Sequence, residues 1–93
     1  MVTAIVMIKA EVTRIPEVAE AIAQIEGVSE VYSVTGGVDL IAMVRVRRHE
    51  HLAEVIPGQV SKIPGVLSSD THIAFHAYSN HDLEAAFSLG MDD

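Results

Sequence analysis

The chain has 93 residues, of which 49% are hydrophobic and 20% are charged, and its formal net charge is −7. A chain of this length forms one domain, residues 1–93, and its six lysines and arginines exclude the clustered basic surface that binding of nucleic acid needs. It has no cysteine, which excludes disulfides, thiolate metal sites and cysteine nucleophiles.

Apolar segments are too short to cross a bilayer, because none reaches the roughly 18 residues that a membrane span needs. The N-terminus also lacks the basic flank and cleavage pattern of a signal peptide. We therefore expect a cytoplasmic protein without membrane contact. So large an apolar fraction also predicts an oligomer, since a domain of this size buries only roughly 60% of its unfolded surface.

The first predicted elements are a strand and a helix. Val2 to Ala10 is rich in β-branched and apolar residues without helical gaps, which predicts a strand buried on both faces. From Ile15 to Ile25 apolar residues recur at the spacing of an amphipathic helix. Pro16 suits the first turn of this helix, and Gly27 ends it.

A hairpin and a second helix follow. Val28 to Thr35 and Val38 to Arg47 have the pattern of two strands joined at a glycine pair, and the apolar run Leu40 to Val44 predicts that the second strand is central. Helical spacing returns from Leu52 to Ile63. Pro57 lies inside this pattern, where a proline costs ~3 kcal/mol, and it predicts a kink or a break.

The remaining segments predict a last strand and a short helix. Gly65 precedes a strand from Leu67 to Tyr78, and Ser79 to Phe87 has the capping residue and apolar face of a third helix. The order β-α-β-β-α-β predicts an α+β, ferredoxin-like fold, in which a four-stranded antiparallel sheet carries both helices on one face. The uncovered face predicts contact with a second subunit.

The glycine pair is the first candidate for a binding site. Gly36 and Gly37 have the conformational freedom of a tight turn and leave room for a small polar ligand to reach the main chain. Asp39 adds a fixed negative charge that suits an ammonium group. The alternative is an ordinary hairpin in which Asp39 caps the amides of the loop.

A second candidate is a group of hydroxyl side chains at the start of the last strand. Ser68, Ser69 and Thr71 suit a carboxylate or an amide as ligand. The alternative is that these hydroxyls face solvent.

Catalytic and metal-binding patterns are weak. The chain has no Gly-x-Ser-x-Gly, no phosphate loop and no helical His-Glu-x-x-His. His72 and His76 would lie about 13 Å apart along one strand, too far to share a metal. His49 and His51 would bind zinc only with a third ligand, and a polar helix start is the alternative. We predict no catalytic residue, no metal and no cofactor.

Several segments taken together resemble a known family. They are Val28-Ser29-Glu30-Val31, Thr35-Gly36-Gly37-Val38-Asp39-Leu40, Ile63-Pro64-Gly65-Val66 and Thr71. Over nearly the whole chain they resemble the effector-binding domain, or RAM domain, of Lrp/AsnC transcriptional regulators. The resemblance implies a ferredoxin-like fold, dimers joined through their sheets, and octamers or similar rings. It also implies an effector, commonly an amino acid, that binds between dimers at Thr35, Gly36, Gly37, Asp39, Ser68, Ser69 and Thr71.

Two features depart from the family pattern. The family often has an aromatic residue before the aspartate, where this chain has Val38, and its regulators carry an N-terminal helix-turn-helix domain, whereas the first strand here begins at Val2. The chain thus resembles a stand-alone effector domain. A regulatory role would then act through mixed assembly with a full-length relative or through sequestration of the ligand.

Three hypotheses follow. The first is a non-enzymatic, amino-acid-sensing oligomeric module. The second is a small dimeric enzyme that resembles cofactor-free monooxygenases, with His72, His76 or Tyr32 in a pocket between sheet and helices. The third is a purely structural oligomerisation module.

Overall fold

The computed structural model describes residues 1–79. Its elements in chain order are β1 (Val2–Ala10), a 3-10 helix (Val12–Arg14), α1 (Ile15–Ala23), β2 (Val28–Ser33), β3 (Leu40–Val46), α2 (His51–Val55), a 3-10 helix (Val60–Lys62) and β4 (Val66–Ala74). The predicted third helix lies, from residue 80 onward, outside the described residues. Among residues 1–79, no helix has the length and apolar character needed to cross a membrane.

The strands form one antiparallel sheet in the order β2-β3-β1-β4. Val6 in the middle of β1 lies between Ala42 of β3 and Thr71 of β4, and Tyr32 of β2 lies opposite Ile41 of β3. This topology confirms the predicted α+β, ferredoxin-like arrangement and the central position of β3. It leaves β2 and β4 as the two edges of the sheet.

One face of the sheet, which we call the helix face, packs against both helices. Alternate residues of β1 and β3 are completely buried on it, because the side chains of a strand alternate between the two faces. The helices contribute Val18, Ile22, Leu52 and Val55 to the same core. The buried strand residues are Ala4, Val6, Ile8, Leu40, Ala42 and Val44.

The other face, which we call the open face, has no cover from any element of residues 1–79. Ile5 and Met7 of β1 point to it and are only partly buried. The prediction that β1 is buried on both faces is therefore wrong for a single chain. The run is apolar as predicted, but residues 1–79 bury only one of its two faces.

The second helix is broken as Pro57 predicts. Helix α2 ends at Val55, and after a turn the chain makes only the short 3-10 helix at Val60–Lys62. Gly58, the residue after the proline, packs against the end of α2. A Cβ at Gly58 would lie 2.3 Å from the carbonyl oxygen of Glu54. The segment therefore covers the sheet less completely than a continuous helix would.

Two strand boundaries differ from the predictions. Residues 34–39 form a longer connection than a two-residue hairpin, because the amide of Asp39 donates to the carbonyl of Ile8 on β1 (2.9 Å). Strand β4 ends at Ala74, which lies opposite Thr3, because β1 has almost no residues left to pair with a longer strand. His76 thus lies outside the strand on which it was placed.

Candidate functional site

The loop of residues 34–39 lies at one end of the sheet, where β2 turns into β3. The amide of Val34 donates to the carbonyl of Asp39 (3.1 Å), which closes the loop. Gly36 has φ +125°, a backbone conformation that residues with a Cβ rarely adopt. Thr35, Gly36 and Gly37 are all exposed, so that the loop offers its main chain to solvent.

The two loop glycines differ from the other glycines in their surroundings. A Cβ at Gly27 would lie 3.1 Å from the side chain of Val55, and a Cβ at Gly65 would lie 2.6 Å from that of Val18. Close packing therefore explains why both positions are glycines. A Cβ at Gly36 or Gly37 would meet no atom within 4 Å. Gly37 has no positive φ either, and contacts within residues 1–79 give no reason for a glycine at this position.

Asp39 binds the end of β1. Its Oδ2 accepts a hydrogen bond from the amide of Ala10 at 2.9 Å, in a partly buried setting next to the irregularity in β1–β4 pairing at Lys9 and Ala10. Asp39 thus holds the end of β1 and does not cap amides of its own loop. In the described residues its other oxygen, Oδ1, has no hydrogen bond, which leaves one side of the carboxylate for a ligand.

The hydroxyl residues of β4 do not share a face. Ser69 lies opposite Ile8 and Thr71 opposite Val6, which places both on the helix face, whereas Ser68 lies opposite Lys9 and points to the open face. Ser69 Oγ lies 3.3 Å from Ser61 Oγ of the second 3-10 helix. Within one chain the three hydroxyls therefore do not lie together, because consecutive strand residues alternate between faces. Their part in binding an effector stays a prediction.

The loop and the β4 hydroxyls lie at the same end of the sheet but not in contact. Asp39 and Ser68 lie on opposite sides of Lys9, two strand spacings apart, which is about 10 Å. The structure brings Thr35, Gly36, Gly37 and Asp39 together, and it leaves the β4 residues beside them as a separate group.

Lys9 is a candidate that the sequence reasoning missed. Asp39 contacts Ile8 and Ala10, the residues on either side of Lys9, so the exposed ammonium group of Lys9 extends from the strand position next to the aspartate. Lys9 forms no ion pair within residues 1–79. The signal was present in the sequence, since Lys9 is the one charged residue of a strand whose other residues, apart from Thr3, are apolar.

The open face has an apolar centre between two polar pairs. Ile5, Met7, Ile41 and Met43 form the centre, and Tyr32 lies beside it with 52% of its surface exposed. On the β2 side Arg45 Nη1 contacts Glu30 Oε1 at 2.9 Å, and on β4 His72 Nε2 lies 3.2 Å from Asp70 Oδ2. Apolar residues with a polar rim are typical of protein–protein interfaces.

A cavity of about 500 Å³ lies at the opposite end of the sheet from the loop. Acidic residues and arginines line it, including Glu26, Glu54 and Arg47, together with His51. Tyr32, His72 and His76, which the monooxygenase-like hypothesis placed in a pocket between sheet and helices, are not among its lining residues. All three are exposed, and the strand registers place Tyr32 and His72 on the open face, away from the helices.

Metal ligands do not gather in the part of the chain that the structure describes. No three side chains of His, Cys, Asp or Glu among residues 1–79 are close enough to hold one ion. His49 and His51, at the start of α2, therefore have no third ligand in this part of the chain.

The fold and the loop define a class: a small α+β domain with an open-faced sheet and an exposed polar loop at one end. A family model described as the Lrp/AsnC ligand binding domain matches residues 3–83. The chain belongs to this family, as its sequence motifs predicted. An uncharacterised HTH-type transcriptional regulator of Pyrococcus horikoshii is 38% identical over 71 residues, which are 76% of this chain and 47% of the regulator.

Solved structures share the fold. A protein of Thermus thermophilus is 41% identical, with a TM-score of 0.81 over 86% of this chain and 100% of its own. A transcriptional regulator of Neisseria meningitidis, determined as a complex with L-Met, has a TM-score of 0.75 over 85% of this chain and 53% of its own, at 11% identity. The last likeness shows a shared fold alone. The chain spans about half the length of the curated regulators that it matches.

Proposed function

We propose that the chain is a non-enzymatic sensing and oligomerisation module of transcriptional regulation, and that its effector is an amino acid bound at the loop of residues 34–39. Membership of the Lrp/AsnC ligand-binding family supports the regulatory, ligand-binding part of this role. The Neisseria regulator with bound L-Met supports the choice of ligand class, since it has the same fold.

The observation that carries the proposal is the empty space around Gly37. A glycine costs backbone entropy compared with other residues, and nothing inside the described chain requires one at this position. A molecule from outside that approaches the main chain closely supplies the missing reason. The exposed amides of the loop are hydrogen-bond donors for an α-carboxylate.

Charges beside the loop match the two ends of an amino acid. Oδ1 of Asp39 accepts from an α-ammonium group, while Oδ2 stays on the amide of Ala10. Lys9, on the neighbouring strand position, is a further cation for the carboxylate. Thr35 adds a hydroxyl to this half of the site.

The second half of the site is assigned to a neighbouring chain. Because Ser69 and Thr71 point to the helix face and Ser68 to the open face, they do not complete the loop site of their own chain. We place them against the loop of another dimer, in an octamer or similar ring built from homodimers. The open face, with its apolar centre, is the surface that joins the two chains of a dimer.

Contact with DNA is assigned to a partner. The net charge of −7 disfavours direct binding of nucleic acid by these residues, and the curated relatives are HTH-type transcriptional regulators. We therefore propose a full-length Lrp/AsnC regulator as a partner in mixed assemblies in the cytoplasm. The bound amino acid would then bias which assembly forms.

A thermal-shift screen of the twenty amino acids tests the ligand class. A ligand that binds only the folded state stabilises it by RT ln(1 + [L]/Kd), roughly 2.7 kcal/mol at a hundredfold excess over Kd. We expect one or a few amino acids to raise the Tm of the unmodified chain and to leave that of Asp39→Asn unchanged. If no amino acid shifts the Tm of a folded oligomer, the sensing role is wrong and a structural oligomerisation module remains.

A further inference from the structure

Lys9 carries a charge that no acidic side chain of residues 1–79 pairs with. It is exposed near the end of β1 and forms an ion pair with neither Asp39 nor Glu11, although Asp39 bonds to the backbone on both sides of it. Asp39 instead directs Oδ2 to the amide of Ala10 at 2.9 Å. An unpaired ammonium group and an unpaired carboxylate oxygen therefore belong to neighbouring positions of the sheet.

The other lysines and arginines lie away from the loop of residues 34–39. Arg14 packs against Gly65, on the side of β1 that faces β4, whereas Asp39 lies on the side that faces β3. The arginines of residues 45–48 lie at the opposite end of β3. Lys62 belongs to the 3-10 helix that contacts β4. Lys9 is thus the one lysine or arginine beside the loop in the described chain.

The loop by itself has enough donors for one carboxylate. The amides of residues 35–38 make no hydrogen bond within residues 1–79, whereas carbonyls of the chain already accept from the amides of Val34 and Asp39. A carboxylate accepts about four hydrogen bonds at its two oxygens. The free amides and the hydroxyl of Thr35 can therefore satisfy an α-carboxylate without using every donor of Lys9.

The balance of charges then favours a second anionic group on the ligand. The α-ammonium group of an amino acid matches Asp39, and its α-carboxylate matches the loop amides. An ammonium group that a ligand covers loses contact with water, and this costs free energy unless the ligand supplies an acceptor of opposite charge. A carboxylate at the end of a short side chain supplies such an acceptor for Lys9.

We propose that Lys9 selects an acidic amino acid, aspartate or glutamate, by binding its side-chain carboxylate. This inference rests on the proposed amino-acid site at the loop and narrows its ligand class. Oδ1 of Asp39 holds the α-ammonium group, and the loop amides hold the α-carboxylate. An ammonium group has three donors, so Lys9 can contact both carboxylates of such a ligand.

The surroundings of the loop suit an acidic ligand. Its exposed residues, Thr35, Gly36 and Gly37, have no large apolar side chain that would contact an apolar effector. The net charge of −7 is spread over the whole chain, and its repulsion is screened beyond roughly 10 Å at about 0.1 M salt. Lys9 acts at contact distance, so its attraction exceeds that repulsion.

Calorimetric titration with two matched pairs of ligands tests the selection. The pairs are L-glutamate with L-glutamine and L-aspartate with L-asparagine, which differ little in shape but differ in side-chain charge. We expect at least one acid to bind the unmodified chain about tenfold more tightly than its amide, as one hydrogen bond between charged groups provides. Lys9→Gln should weaken binding of this acid about tenfold more than binding of its amide, which a double-mutant cycle measures.

Lys62→Gln is the matched control, because it removes an exposed lysine that lies away from the loop. It should leave the preference for the acid unchanged. Light scattering and circular dichroism melts check that both variants keep their assembly and fold. If the unmodified chain binds the amides as tightly as the acids, or if Lys9→Gln keeps the preference, the selection by Lys9 is overturned.

Failure of this inference is distinguishable from failure of the proposed function. If a neutral amino acid binds more tightly than both acids, and Gly37→Val weakens its binding, the loop site stands and the role of Lys9 is overturned. If no amino acid binds to the folded chain, both are overturned.

Discussion

At the scale of single residues, Asp39 carries two separable tasks. Its Oδ2 holds the amide of Ala10 at 2.9 Å, and its charge is the proposed partner of a ligand ammonium. An amide side chain keeps an acceptor for Ala10 but removes the charge, whereas alanine removes both. The pair of substitutions therefore separates the structural task from the binding task.

Asp39→Ala should lower the free energy of unfolding by about 1–3 kcal/mol, because it leaves a partly buried amide without its acceptor. Asp39→Asn should lower the free energy of unfolding by less than half as much. Both should lose binding of the amino acid. Urea unfolding and calorimetric titration measure the two effects, and full binding by Asp39→Asn would contradict the charge assignment.

Gly37 allows the complementary test. Gly37→Val should change the free energy of unfolding by no more than about 0.5 kcal/mol, because the position is exposed and a Cβ there would meet no atom within 4 Å. It should weaken amino-acid binding at least tenfold, since a branched side chain would occupy the approach to the loop. Gly65→Ala is the contrasting control: with φ +102° and Val18 at 2.6 Å, it should destabilise the fold. Tight binding by Gly37→Val would remove the loop from the site.

At the scale of elements, the sequence predicted what depends on local chemistry. The helical spacing from Ile15, the glycine stops at Gly27 and Gly65 and the break at Pro57 all appear in the structure. The ends of strands and the faces of single side chains, which depend on the register with neighbouring strands, were missed. The end of β4 at Ala74 is set by the start of β1, and the division of Ser68 from Ser69 follows from their register on β1.

For the candidate site too, the sequence predicted what is local in the chain and missed what depends on strand pairing. The loop residues are consecutive, so the sequence already placed Thr35, Gly36, Gly37 and Asp39 together. Lys9 was missed because its position beside Asp39 arises from the pairing of β1 with β3, and these two strands lie far apart in the sequence.

The broken helix gives a prediction at the same scale. Gly58→Ala should destabilise the fold by about 1–3 kcal/mol, since the new methyl group would lie 2.3 Å from the backbone oxygen of Glu54. Ala53→Ser, at an exposed position of α2, is the control and should have little effect. Equal melting temperatures for both variants would show that the turn after α2 relaxes without cost.

At the scale of the whole molecule, the open face explains the apolar composition. Nearly half of the residues are hydrophobic, yet residues 1–79 bury only one face of the sheet. The apolar centre of Ile5, Met7, Ile41 and Met43 is the surface that we propose to join two chains, and the rim pair of Arg45 and Glu30 suits the border of such a contact.

Ile41→Asp should therefore lower the molar mass of the assembly, because a charge at the centre of the open face loses its water when chains associate. Ala53→Asp adds the same charge at an exposed position of α2 and should leave the mass unchanged. Light scattering measures both. An unchanged mass for a folded Ile41→Asp variant would contradict the role of the open face as an interface.

Hydrogen–deuterium exchange with and without the amino acid that gives the largest thermal shift tests the central claim most directly. The account predicts slower exchange of the amides in residues 34–39 and at Ala10, because the ligand accepts from the loop and fixes Asp39 against the end of β1. Protection confined to the cavity lined by Glu26, Arg47 and His51, with the loop unchanged, would contradict it.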